Sequence, residues 1–463
     1  MYLAWAIRLF TAFAAVAALI LFSNDLTEIP ETSPAPESTD VEEEIVAEAP
    51  KMEASIIDVA EDGRDLRSII ESAPNDAVIR LPGNAESQIR PGPVEVTSRL
   101  TIQGADELSA ITTDGLHGAF HIAPGGALHL ERIKIRDAAG PHQPAIDNRG
   151  YLVLHDVVIR DNSAISTAAA LRSGGSLLAK ELRLHKNTSN AGPGAIEFTG
   201  GDAYLRGLTA IDNHGFHGGV LENHAALDIS DAYFASNSAD EGGAILNRGK
   251  IDLRNGAFWL NRGSGSDSFG GALLSERILR MTNTTFHANE ATFGSALVVD
   301  AGQTDLAHIT FHANPSRAGS DVYVGSRGTL RTRNSVFSSG DSTVMSIDIV
   351  GTGDMKSLGG NIVPRPAGNW PERLAGPADW LGTGEDTPPT KEPIGANGWI
   401  RLVPLAEDHP GRLNIPAKYC RDARDRPLSR DQSGNPRSAL LACDAGAHQT
   451  SPTPHGEPTT RPQ

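Results

Sequence analysis

Between about residues 130 and 340, short apolar–polar alternations recur along the chain with a spacing near 25 residues. In Lys250-Ile251-Asp252-Leu253-Arg254-Asn255, Ile251 and Leu253 alternate with charged neighbours, as on a strand with one buried face. Gly242-Gly243-Ala244-Ile245-Leu246-Asn247 precedes this run and Ala257-Phe258-Trp259-Leu260-Asn261 follows it. Each piece predicts a strand of four to six residues, and asparagine closes the first two. The unit then repeats in two independent registers. A turn asparagine stands at Asn162, Asn187, Asn213, Asn237, Asn261, Asn289 and Asn314. A small residue stands at Ala145, Ala170, Ala195, Val220, Ala244, Ala272 and Ala296. Two registers sharing one period predict a solenoid. Three short strands per coil of about 25 residues predict an all-β, single-stranded, right-handed parallel β-helix with coils stacked about 4.8 Å apart. The asparagine column predicts a stacked amide ladder that satisfies turn backbone.

Composition agrees with many short strands and tight turns. Glycine is abundant at 48 and aromatic residues are only 5%. A solenoid needs few large side chains, because each coil buries a thin slice of core against its neighbours. The net charge is −17, and ten of the acidic residues fall between positions 24 and 53. An acidic body without a basic stripe argues against nucleic acid and against anionic membrane surfaces as partners.

Residues 1–23 hold an apolar run from Leu9 to Phe22, interrupted only by Thr11 and preceded by Arg8. This predicts an export segment with everything after residue 23 outside the cytoplasm. A retained membrane anchor is favoured over a cleaved signal peptide because no good small-x-small cleavage site follows. Residues 24–54, rich in Glu, Pro, Ser, Thr and Ala, predict an extended, disordered tether. Cys420 and Cys443 are the only cysteines. In an exported chain the pair reads as a disulfide, the alternative being two free thiols.

The motifs Gly242-Gly243-Ala244-Ile245 and Gly270-Gly271-Ala272-Leu273, with Phe234-Ala235-Ser236-Asn237, Phe286-His287-Ala288-Asn289 and Phe311-His312-Ala313-Asn314, resemble the repeats of bacterial polymorphic outer-membrane proteins. Residues 55–84 are similar to a bacterial N-terminal capping segment named for a Cys-Ser-Leu-Arg-Glu-Ala motif. Leu66-Arg67 aligns, and Arg64 stands where the cysteine is usual. Here Asp65 predicts the N-cap of a short helix with Leu66, Ile69 and Ile70 on one face. Ser357-Leu358-Gly359-Gly360-Asn361, Asp379-Trp380-Leu381-Gly382, Asp431-Gln432-Ser433-Gly434-Asn435-Pro436-Arg437 and Cys443-Asp444-Ala445-Gly446-Ala447 together resemble the choice-of-anchor Q domain family. Ser433 replaces that family's usual arginine, and Ala445 its isoleucine. The resemblance implies a bacterial exported or surface β-helix of the pectin-lyase-like kind and no established reaction. The expected order is an export segment (1–23), a linker (24–54), an N-terminal cap (55–84), a parallel β-helix (85–365), a C-terminal cap segment with the disulfide (366–449) and a disordered tail (450–463).

Sequence chemistry points to no reaction. A polygalacturonase-type set would need an Asp-Asp pair and Gly-His-Gly before Arg-x-Lys; here Arg132-Ile133-Lys134 precedes Phe216-His217-Gly218. Asp156, Asp161 and Glu181 could share a face, as outward charges on any solenoid do. His287 and His312 occupy equivalent places in successive coils, and a zinc site would need more than His308 beside them. No catalytic residue, cofactor or metal is assigned. The expectation is a non-enzymatic, envelope-tethered interaction module whose partners are glycans or surface proteins. A polysaccharide lyase or glycoside hydrolase is the alternative, and a passive structural element the third reading. The registers disagree once, where extra residues separate Asn261 from Ala272. That insertion predicts a loop, with Trp259, Arg262 and Asp267 as candidate contacts.

Overall fold

The computed structural model describes residues 55–62, 65–83, 86–105, 108–317, 319–338, 345–363 and 376–381, and parts of 394–449. The export segment, the linker and the tail lie outside the described residues. No described helix is long and apolar enough to cross a membrane.

Strands pair in parallel with the strand one coil away, building a β-solenoid of about 12 turns. The ladder begins earlier than residue 85. Ile56–Asp58 pairs with Ala77–Arg80, which pairs with Arg99–Gln103. Ala77 and Ile79 already face the core, so the cap and the first rungs are one structure. The helix Leu66–Ser72 packs there with Leu66, Ile69 and Ile70 buried, and Asp65 accepts a hydrogen bond from the Ser68 N–H at its N-terminus.

Most central coils contain a three-residue strand, such as Ile245–Asn247, then a ten-residue strand, such as Lys250–Trp259; in one coil the latter is split at Gly207 into Asp202–Arg206 and Thr209–Ile211. The two strands expected over 250–261 are one continuous strand bent at Asn255, whose φ is 57°. The same left-handed corner recurs at Asp156, Glu181, Asp231, Asn283, His308 and Asn334. Asp161 belongs to a different corner, that of Lys186 and Asp212, so it does not share the face of Asp156 and Glu181.

At this second corner a left-handed residue directly precedes each ladder asparagine, which turns the chain and leaves the next N–H facing inward. The asparagines supply the partners. Asn237 donates from Nδ2 to Asn261 Oδ1 at 2.9 Å and to Ala210 O at 3.0 Å. Its own Oδ1 accepts from Asn213 Nδ2 at 3.0 Å and from the Asn213 N–H at 2.9 Å. The pattern runs unbroken from Asn162 to Asn314, all buried. Only a side chain with both a donor and an acceptor can pass the bond from coil to coil while serving backbone.

Inside, Phe234, Phe258, Phe286, Phe311 and Phe337 stack in sequence with centroids 4.7, 4.7, 5.0 and 4.9 Å apart. The spacing is the coil rise itself, so one position in the repeat fills the core along its axis. Such pairs contribute about 0.5–1.5 kcal/mol each beyond their burial.

The C-terminal segment departs from the expected end cap. Trp380–Leu381 extends the ladder by pairing with Ile362–Val363. The described parts after residue 394 then run back over one flank as a strap. Gln432 accepts from Thr285 Oγ1 and donates to Gly256 O, both at 2.7 Å. Arg437 donates to Asn283 Oδ1 at 3.0 Å and to the carbonyls of Asp444, Gly446 and Ala447. Gly446 N–H donates to Asn334 O at 2.7 Å, and Ala447 N–H to Thr310 Oγ1 at 2.9 Å. Cys420 and Cys443 are bonded, with Cα atoms 6.2 Å apart. The covered flank carries Ala257, Thr285 and Thr310 as outward positions of successive rungs, small and uncharged side chains that leave room for the strap to lie close and that are buried beneath it.

Candidate functional site

The short strands leave a second flank open, and parallel register aligns one outward side chain per coil. His121, Asp147, Arg172, Glu197 and Glu222 stand in successive rungs. Just past these strands the chain turns at Gly150, Gly175 and Gly201. A Cβ there would lie 2.2, 2.1 and 2.3 Å from a carbonyl oxygen of the preceding coil, so the corner must be bare backbone. This makes a shallow shelf of about 590 Å³ lined by Ser98, Arg99, Gly126, Arg149, Tyr151 and Gly175, among others. Two further depressions, of about 340 and 320 Å³, open beside it on the strand face. His121, His142, Asp147 and Arg172 line the first, and Asp147, Arg172 and Thr199 the second. Arg149 borders all three.

The charges are paired, but unequally presented. Asp147 Oδ2 lies 3.0 Å from His121 Nδ1 and 3.2 Å from the Arg149 guanidinium. Arg172 lies 3.5 Å from Glu197. The Arg149 side chain is 57% exposed against 21% for Asp147, and Arg172 43% against 20% for Glu197. The carboxylates form the floor and the guanidiniums the rim, so an overall acidic protein presents positive charge here.

Farther along the flank, Arg248 gathers three carboxylates: Glu222, Glu276 at 3.2 Å and Glu241 at 3.5 Å. His217 Nδ1 is 3.1 Å from Glu241. Their hydrogen bond raises the His217 pKa and, outweighing burial, holds the Glu241 carboxyl below its usual range. Beyond this the column turns apolar. Leu246, Leu274 and Val298 are buried with Phe269 and Tyr323 packed against them, and Phe293 stacks on Phe269 at 5.0 Å.

The insertion between Asn261 and Ala272 does not assemble the expected contacts. Trp259 is 3% exposed and packs with Ala235 and with Val403 of the strap, so it is covered on the other flank. Arg262 is exposed and lies 3.3 Å from Glu290; Asp267 is exposed. The loop is anchored at both ends, since Gly263 N–H donates to Glu290 O and buried Ser268, just after Asp267, contacts Thr292. His287 and His312 stack at 5.1 Å, with Trp259 against His287. His308 is buried at a strap-covered corner, 3.0 Å from Asn334, and burial drives its pKa well down. Among the described residues no group of three or more His, Cys, Asp or Glu side chains is placed to hold a metal ion.

Sequence reading passed over Arg149, Arg172 and His121. The available signal was the glycine column Gly126, Gly150, Gly175 and Gly201, which keeps the same period as the asparagines and marks a close backbone approach.

No family model and no curated protein matches the sequence. Among solved structures, the chain is similar to an alginate lyase of family PL6 in complex with a trisaccharide. The TM-score is 0.37 at 9% identity, over 77% of this chain and 92% of that one.

Proposed function

We propose that this protein is an exported, envelope-tethered β-helix that binds acidic glycans along its open flank without cleaving them. The observation that carries the reading is the meeting of three depressions at Arg149, under a rim of guanidiniums more exposed than their carboxylate partners. A ligand carboxylate or sulfate can exchange for a paired carboxylate without leaving either charge buried. One outward side chain every 4.8 Å or so suits a ligand that is itself a repeat, as an extended polysaccharide is. Residues 1–23 and the acidic linker support the tether, and the motifs at 357–361 and 431–447 support membership of the choice-of-anchor Q family.

Glu241 does not suit the acid role of a glycosidase. A glycosidase needs one carboxyl held protonated beside another held ionised. The described carboxyls raised by burial are Asp252, which lies under Arg424 of the strap, and Asp321, which is fully buried. On the open flank Glu241 is moved the other way.

The test is binding of the full chain to immobilised acidic polysaccharides, with the Arg149→Ala, Arg172→Ala double variant beside it. The expected result is at least tenfold weaker binding by the variant at an unchanged melting temperature, these side chains being exposed. Equal binding by the variant removes the assignment of the flank.

A further inference from the structure

The strap does more than cover the solenoid. Where its turn Asp431–Asn435 stands against the left-handed corner, the two enclose a groove of about 410 Å³. The solenoid side contributes Glu181, Arg183, Thr209, Asp231, Tyr233 and Asn255; the strap contributes Gln432, Ser433 and Gly434. Neither part has this groove alone.

Both walls are fixed in advance. In the strap, Asp431 Oδ1 accepts from the N–H groups of Ser433 and Asn435 at 2.9 and 2.7 Å, which sets the turn. Gln432 pins that turn to Gly256 and Thr285. In the solenoid, Asn255 donates to Asp231 Oδ1 at 3.0 Å and holds the carboxylate at the groove. A preformed concavity of this size with a few placed polar groups is how small-ligand sites are built.

Its lining has one more carboxylate than guanidinium, where the rim of the open flank is basic. Glu181 and Asp231 line it with Arg183, which already bonds Asp156 at 2.8 Å; Arg206, outside the lining, lies 3.8 Å from Asp231. Tyr233 adds an aromatic wall, which attracts cations and sugar rings alike. Thr209, Asn255 and Ser433 bring hydroxyl and amide groups suited to sugar hydroxyls. We propose that this groove binds an amine-bearing sugar, a hexosamine with a free ammonium group within a glycan. The proposal rests on the reading of the protein as a glycan binder and adds a second site of opposite preference.

Calorimetry on the full chain tests it with three probes: the tetramer of β-1,4-linked glucosamine, its fully N-acetylated form, and tetragalacturonate. The glucosamine tetramer is expected to bind, and Thr209→Trp, which fills the groove, is expected to weaken it at least tenfold while leaving tetragalacturonate unaffected. Asp231→Asn is expected to bring the glucosamine and N-acetylated tetramers within about threefold of each other. Should Thr209→Trp fail to fold, the Asp231→Asn comparison decides. Glucosamine binding untouched by either folded variant overturns the groove alone. Stronger competition by tetralysine than by the glucosamine tetramer also overturns it, in favour of a basic peptide. No binding of any sugar overturns the glycan reading and this inference with it.

Discussion

Asn237 shows what one residue must do in this fold. It satisfies Ala210 O, the Asn213 N–H and the Asn213 amide in a region closed to water. Asn237→Ala removes all three bonds; the Asn213 amide keeps Leu184 O and Ile211 O, so the loss falls on the Asn213 N–H and Ala210 O, and each unsatisfied buried group costs about 1–3 kcal/mol, offset in part by local relaxation. A loss of about 2–4 kcal/mol in urea denaturation is expected; a loss under about 1 kcal/mol would mean that the ladder is ornamental. Asp431 gives a second residue-scale prediction. Burial works against its ionisation, yet the hydrogen bond from His448 and the N–H groups of Gln449 and Asn435 outweigh it, lowering its pKa from 3.8 to about 2. A carboxyl with a depressed folded pKa contributes stability above its unfolded value and loses it as pH falls toward the folded one. The strap should therefore keep its hold at pH 5 and weaken from about pH 4 down to 2, by about 2 kcal/mol. Trp259 fluorescence, shifting red as Val403 leaves it, reports the release; a flat signal to pH 2 contradicts the role given to Asp431.

At the scale of elements, coil and strap differ in how far they could be read from sequence. The coil was legible because its signals are local: Ile251/Leu253 alternation, an asparagine every 24 to 28 residues and, from Phe234 onward, a phenylalanine three before it. The capping helix was legible for the same reason, from Asp65 and the apolar set Leu66, Ile69 and Ile70. The strap was not, since its docking joins residues more than a hundred positions apart, as Thr285 and Gln432 do. Which flank it covers decides whether Trp259 is a contact or a buried anchor, and no pattern within residues 250–261 carries that information. The open site was missed on related grounds. Arg149 and Arg172 resemble any outward charges until the register shows that they share the two depressions beside the shelf. The disulfide belongs to the strap too, closing a loop of 23 residues' separation. Such a bond contributes about 2–4 kcal/mol. Reduction should loosen the strap and redden Trp259 emission while the far-ultraviolet strand signal stays; simultaneous loss of both signals would make strap and solenoid one cooperative unit.

As a whole molecule, the protein is a nearly one-dimensional stack whose flanks have separate fates. The coils share an apolar interior, with the phenylalanine stack from Phe234 to Phe337 and the asparagine ladder at a corner, so stability is carried inside and the outside is left to vary. One flank varies toward small neutral residues and is covered by the strap. Another varies toward paired charges with exposed guanidiniums, then toward Phe269, Phe293 and Tyr323. An open row of this kind gives a long ligand many weak contacts at a fixed spacing, and its affinity should grow with ligand length and fall with salt. The most direct measurement is to incubate the full chain with an acidic polysaccharide and follow both retention by the protein and the length of the polysaccharide. The account predicts saturable, salt-sensitive retention with chain length unchanged; shortening of the polysaccharide, or no retention at low salt, would contradict it.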